Sequence, residues 1–344
     1  MKVVLLAGLA VLAVLSASLV FRGVVKGSQK TIPNSVVAQY TAWKRTFGKL
    51  YATPEEDNYR LGVFLEQKLT VDKRNSQYEE YAKENGQQLT GPMFELNSFA
   101  DLSDEEFNSR YLGEQTQDAY IEENIGEVPE FTSERKTLAQ TPYTYRIRNQ
   151  GSCGSCWTFS AVANFEKYYF NKKNQRLDFS QQQLVDCQTT ANGCSGGLPS
   201  KGLSYFAANG AALASAYPYA AADGVCKKGI TTYKLAFNVG SESFGLTKAV
   251  QLVRGGIHLS VGVYASGGFR YLSKTDDIYA ASSSGECAQT KNHAVNAVET
   301  DTTGSFLRIL NSWGTGWGYS GTKKIKPCAT NNIWGANSVM AYPY

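Results

Sequence analysis

An α+β fold is predicted for this 344-residue chain on three observations. A charged, cysteine-free front, residues 36–108, has helical periodicity. One strong helix pattern follows Cys156. Beyond about Tyr233 the pattern turns to β-type alternation, as in residues 259–264 and 306–310. The length suffices for about two domains, each with its own core, and the ordinary apolar fraction argues against disorder.

Met1-Lys2 supplies a positive end, residues 3–15 are unbroken apolar, and Ser16-Ala17-Ser18 supplies small residues. This pattern predicts a cleaved signal peptide over residues 1–18 and a secretory route. A membrane anchor is the competing reading, because apolar character continues to Phe21. The run is near the lower limit for spanning a bilayer and has little basic flank, so no stable membrane span is expected. A net charge of +4, spread without an aromatic-and-arginine platform, gives no nucleic-acid partner. With two histidines and cysteines expected to pair, neither a metal nor another cofactor is expected. No N-glycosylation acceptor occurs.

The front begins with Tyr40, Trp43, Phe47 and Tyr51 at three- or four-residue steps, an aromatic stripe on one helix face. Thr53 can cap a second helix, Pro54 fits its first turn, and Glu55 and Glu56 complement its dipole. Glu56, Arg60, Phe64, Gln67, Val71 and Asn75 then keep one side of that helix. Ser103 to Phe107 opens a third, short helix. Residues 109–131, rich in Gln, Glu and Thr, read as an exposed linker and processing region.

All seven cysteines lie between Cys153 and Cys328. In an oxidising compartment six can pair, which leaves one free thiol. In Gln150-Gly-Ser-Cys153-Gly-Ser-Cys156-Trp157, Cys156 opens a buried helix. The dipole and unpaired backbone N–H groups there favour a thiolate. On the residues alone, Cys153-Gly-Ser-Cys156 also reads as a redox pair, or as a disulfide end beside an incidental thiol. A thiolate nucleophile needs a base, and spacing does not choose between His258 and His293.

Three blocks resemble the active-site segments of papain-like cysteine peptidases, in the same order: Gln150 to Trp157, Asn292-His293-Ala294-Val295, and Asn311-Ser312-Trp313-Gly314 onward to Gly318. The Glu56-to-Asn75 spacing and Asn97-Ser98-Phe99-Ala100-Asp101 resemble the inhibitory propeptide of cathepsin L-like members. Gln67, Val71 and Glu95 depart from the usual residues there. The resemblance implies two lobes, one helical and one of antiparallel β-barrel type, forming a peptidase domain over residues 132–344. A helical inhibitor prodomain over residues 36–108 precedes it. A cleft would separate Cys156 from His293 and Asn311.

The resemblance further implies the roles of Cys156 as nucleophile, His293 as base, Asn311 as orienter and Gln150 as oxyanion donor. Trp313 shields the histidine–asparagine bond. Cys156 thiolate and His293 imidazolium are expected as an ion pair. Gly196 and Gly197 would pair with an extended substrate backbone. Leu198, Pro199, Gly262, Ala294 and Val339 would form a hydrophobic pocket for the residue two positions before the cut. Implied disulfides are Cys153–Cys194, Cys187–Cys226 and Cys287–Cys328, the last displaced because Trp334 stands where the usual partner would.

The implied protein is a monomeric endopeptidase made as an inactive precursor. Its partners are protein and peptide substrates, its own propeptide as inhibitor, and cystatin-like inhibitors. It would work in a lysosome-like acidic vacuole or outside the cell, with acid protonating front-helix carboxylates as the trigger. The alternatives are a non-catalytic binding or storage homologue, a thiol–disulfide oxidoreductase, and a peptide ligase. The mature N-terminus is expected within about residues 126–135.

Overall fold

The computed structural model describes residues 32–113, 143–243, 246–280, 289–326 and 339–344. The expected signal segment, the expected mature N-terminus, Trp334 and the Cys287–Cys328 pair lie outside the described residues. The chain separates into two compact units, one ending at Leu65 and one spanning Glu66–Tyr344.

In the first unit, α1 (Asn34–Phe47) stops where Gly48 takes a left-handed φ of 61°. Tyr51, expected on the same helical stripe, lies beyond that stop. Tyr40 and Trp43 each lie 5.3 Å, ring to ring, from Phe64 on the opening turns of α2 (Pro54–Glu84). The Tyr40 hydroxyl donates to Asp57 Oδ1 at 2.6 Å, and Lys44 reaches the same carboxylate at 2.6 Å. Thr53 caps α2 as the sequence predicts, its hydroxyl accepting from the Glu56 N–H at 3.2 Å.

In the second unit the front segment is not helical throughout. After Gly86, with φ of 64°, the chain is irregular until α3 (Asp104–Tyr111). Its backbone groups find partners across the chain instead of within a helix. Ser273 N–H donates to Met93 O at 2.9 Å and Glu95 N–H to Tyr271 O at 2.8 Å. Asn75 clasps the Phe94 backbone with two bonds of 2.9 Å, and Asn97 Nδ2 donates to Arg270 O at 2.7 Å. Helix α3 is fixed by a capping box in which Ser103 and Glu106 each satisfy the other's backbone N–H. Its last turn takes in residues 109–111, which composition had assigned to the linker.

The body is built around α4 (Cys156–Lys173), buried along nearly its whole length. Trp157 and Phe165 on α4 share a core with Phe179, with Leu184 of α5 (Gln181–Cys187), and with Leu203 and Phe206 of α6 (Pro199–Asn209). Two short strands, β1 (Ala211–Ala212) and β2 (Thr232–Tyr233), pair beside this helical lobe. Disulfides Cys153–Cys194 and Cys187–Cys226 form as the resemblance implied, and Cys156 is not in a disulfide. Replacing Cys153 and Cys194 together by serine is expected to cost about 2–4 kcal/mol, read from the shift in urea midpoint.

The second lobe is a seven-stranded sheet. Its strands are β3 (Val239–Ser243), β4 (Leu259–Val263), β5 (Tyr279–Ala280), β6 (His293–Thr300), β7 (Leu307–Leu310), β8 (Thr322–Lys326) and β9 (Val339–Pro343). Their order is β3-β9-β4-β6-β7-β8-β5, antiparallel except for the β5–β8 pair. Strands β4 and β7 are buried at every position, so one-sided alternation does not apply to them. The cover comes from α4 on one side and α7 (Leu246–Arg254) beside β6 and β4. No helix among the described residues is long and apolar enough to cross a membrane.

Candidate active site

Cys156 is the first residue of α4 and is fully buried. Ser155 before it does not cap the helix with its side chain; its hydroxyl meets the Tyr219 hydroxyl at 2.7 Å instead. No side chain therefore caps the positive dipole end at Cys156, although the Thr158 N–H donates to Ser155 O at 2.8 Å. Gln150 is brought in by antiparallel pairing, through an Asn149–Trp313 bridge and a 2.8 Å bond from Gln150 N–H to Ser312 O. The Ser312 hydroxyl donates to Gln150 Oε1 at 2.6 Å, and the amide NH₂ thereby faces the cleft.

The two histidines differ in their surroundings. His293 opens β6, and the residue after it, Ala294, donates its N–H to Cys156 Sγ at 3.4 Å. His293 Nε2 lies 2.8 Å from Asn311 Oδ1, an oxygen that also accepts from the Ser312 N–H at 2.8 Å. The Trp313 ring stacks on the imidazole at 4.5 Å and closes that bond off from water. Nδ1, the other ring nitrogen, has no hydrogen-bond partner. Burial pushes the His293 pKa down to about 4, against the raising effect of Asn311, so the ring is neutral at pH 7 in this form. His258 is also buried, but it stands edge-on to Tyr143 and away from the cysteine; burial and Lys167 push its pKa to about 3.

A thiol at a helix start, an imidazole held by an amide and an amide NH₂ aimed into a cleft can together perform acyl transfer through a thioester. Comparison with known proteins agrees with that chemistry. Residues 128–344 match the papain family cysteine protease model, and residues 40–107 match the cathepsin propeptide inhibitor domain (I29). The chain belongs to the papain family.

Among papain-family relatives, caricain from Carica papaya is 33% identical over 84% of this chain and 80% of its own length. Cysteine proteinase 3 of Entamoeba histolytica is 34% identical over 88% and 92%. Digestive procathepsin L2 from the larval midgut of Tenebrio molitor superposes with a TM-score of 0.73 at 25% identity, covering 90% of this chain and 99% of that one. The protein is a cysteine-type endopeptidase made as a zymogen, with its front segment as intramolecular inhibitor.

How this papain-family zymogen is held closed is visible at the end of α3. Gln150 Nε2 donates to the Tyr111 carbonyl at 2.9 Å, as it also does to Cys153 O at 2.9 Å. Gly197 N–H donates to Gly113 O at 2.9 Å. The front segment thus occupies both the Gln150 amide donor and the Gly197 N–H. Phe99 and Phe107 pack edge-on against Trp313 at 5.4 and 5.3 Å. A Cβ on Gly113 would collide with the Gly154 backbone carbonyl. Gly113→Ala is expected to loosen the front segment and let the uncleaved precursor turn over a small fluorogenic peptide several-fold faster; an unchanged basal rate would contradict this.

The implied pocket residues are partly gathered. Gly262 on β4 is the cross-strand partner of Ala294 on β6. Leu198 and Pro199 start α6 directly after Gly197, and both are buried. Val339 is placed by its backbone alone, on β9 opposite Ser243. Sequence reasoning missed Tyr111 and Gly113, which lay in or beside the supposed linker, and Tyr219, whose hydroxyl donates to Gln150 O at 2.7 Å. Among the described residues no cluster of three His, Cys, Asp or Glu could hold a metal.

Proposed function

We propose that Cys156 is the nucleophile, His293 its proton-transfer partner, Asn311 the residue that orients the ring, and Gln150 an oxyanion donor. In this reading residues 36–108 form the inhibitor prodomain and residues 132–344 the peptidase domain. The observation that carries it is the juxtaposition of the Asn311-held His293 and the Ala294–Cys156 contact on opposite lobes. Removing the front segment re-admits water to His293, lifts the burial that depresses its pKa, and lets the thiolate–imidazolium pair form.

The thiolate attacks the peptide carbonyl carbon, and the oxyanion takes the Gln150 amide donor that now holds Tyr111 O. His293 gives its proton to the leaving amine as the C–N bond breaks and a thioester remains. A water, deprotonated by His293, then hydrolyses the thioester and returns the thiol. The apolar residues Leu198, Pro199, Gly262, Ala294 and Val339 favour a hydrophobic side chain two positions before the cut. The two disulfides fit an oxidising compartment. Signal cleavage, work in an acidic vacuole or outside the cell, a monomeric state and cystatin-like inhibitors belong to the same reading.

The test is conversion of the full precursor by an added protease, then hydrolysis of fluorogenic dipeptides with Phe, Leu or Arg at the second position. Cleavage favouring Phe or Leu, lost in Cys156→Ala and after an epoxide thiol inhibitor, supports the assignment. Turnover that survives Cys156→Ala overturns it, and preference for Arg overturns the pocket.

A further inference from the structure

Four buried polar side chains lie where α4 meets the sheet, just behind the reacting groups. Ser160 and Asn164 follow Cys156 on α4 at steps of four, so all three share one helix face. Asn296 sits on β6 two residues after Ala294, on the same strand face, and its cross-strand partner on β4 is Ser260. Ser160, Asn164 and Ser260 are each 1% exposed and Asn296 is 2% exposed.

They bind one another completely enough to form a ladder. Asn296 Nδ2 donates to Asn164 Oδ1 at 2.7 Å and to Ser160 O at 3.1 Å. Asn164 Nδ2 donates to Ser260 Oγ at 2.9 Å. The Ser160 hydroxyl lies 2.8 Å from Ser260 Oγ and 3.0 Å from Val295 O. One helical turn nearer the cleft, the Ala294 N–H reaches Cys156 Sγ at 3.4 Å. The same helix face and the same strand are thus tied at three successive levels, and the outermost level carries the nucleophile and the neighbour of His293.

We propose that Ser160, Asn164, Ser260 and Asn296 are positioning residues that fix the axial register of α4 against β6, and so the placement of Cys156 relative to His293. This rests on the catalytic assignment above. Apolar contacts are non-directional and tolerate sliding of a helix over a sheet, whereas hydrogen bonds of this length do not. A lobe interface carrying half the catalytic pair on each side gains from the directional kind. A shift of about 1 Å between reacting groups costs on the order of a hundredfold in rate.

The test uses the full chain, converted by an added protease so that no variant depends on its own activity. Asn164→Leu with Asn296→Leu removes both amides together and leaves few unpaired partners, so thermal stability should stay near that of the parent. Its kcat should nevertheless fall about tenfold to a hundredfold at nearly constant KM, and iodoacetamide should alkylate Cys156 more slowly at acidic pH by a similar factor. Ser160→Ala, a smaller change, keeps the test decisive if the leucine pair does not fold; kcat about three- to tenfold lower is expected. Parental kcat and alkylation rate in either folded variant overturn the ladder, as does a loss of kcat that follows the unfolded fraction. An inactive parent overturns the catalytic assignment itself.

Discussion

Replacing His293 by alanine is expected to lower kcat by about 10⁴-fold or more, the scale at which a member of a coupled nucleophile–base unit is lost. The ring is poised by one bond to Asn311 and by Trp313 stacked at 4.5 Å, and its other nitrogen is unpartnered. On the proposed assignment its loss leaves the cysteine without its base and the leaving amine without its acid. The double variant Cys156→Ala/His293→Ala should be little slower than either single one, because the two act as a unit. Alkylation of Cys156 at acidic pH should fall in step, since the thiolate loses its cationic partner. His258→Gln is the control. That ring contacts Tyr143 and the Ala163 backbone, so kcat within about twofold of the parent is expected in the folded fraction. A large loss at His258 with none at His293 would exchange their roles.

What was legible in the sequence was whatever a local pattern specifies. Cys156 at a helix start, the Ser103–Glu106 box and the Thr53 cap depend on residues a few positions apart, and the structure contains all three. Odd cysteine number predicted one thiol outside the disulfides, and Cys156 is in neither of the two described. The irregular stretch before α3 was not legible, because its backbone bonds run to Arg270, Tyr271 and Ser273, far along the chain. Local pattern left His258 and His293 both open for the same reason: each stands at the start of a strand, and only the fold sets the residue after His293, Ala294, against the Cys156 sulfur. Gly113 was read as linker because nothing local to it says that another backbone approaches closely.

The precursor's stability is expected to fall as pH drops from about 6.5 toward 4, through its two histidines. Burial holds His293 at about 4 and His258 at about 3, against an ordinary value of 6.5. Between these limits the unfolded chain binds protons that the folded chain refuses, so unfolding free energy rises with pH. The stabilisation is complete above 6.5 and is lost as pH falls through the folded values, at most about 1.4 kcal/mol per pH unit for each ring. The carboxylates held low by their partners, Asp276 by Arg308 and Lys324 against burial, and Asp301 at about 2 by Ser305, titrate below this window. Lys323, lowered to about 8 by burial, stays charged throughout it. The two buried rings therefore make the closed form acid-sensitive in this window. Melting of the Cys156→Ala precursor, which cannot process itself, should move down by several degrees between pH 7 and 4.5. His258→Gln and His293→Gln should each remove about half of that slope. A flat melting temperature across the window would mean that both rings are charged in the folded precursor, and with that the burial of His293 beneath Trp313 would cease to be what keeps its base neutral.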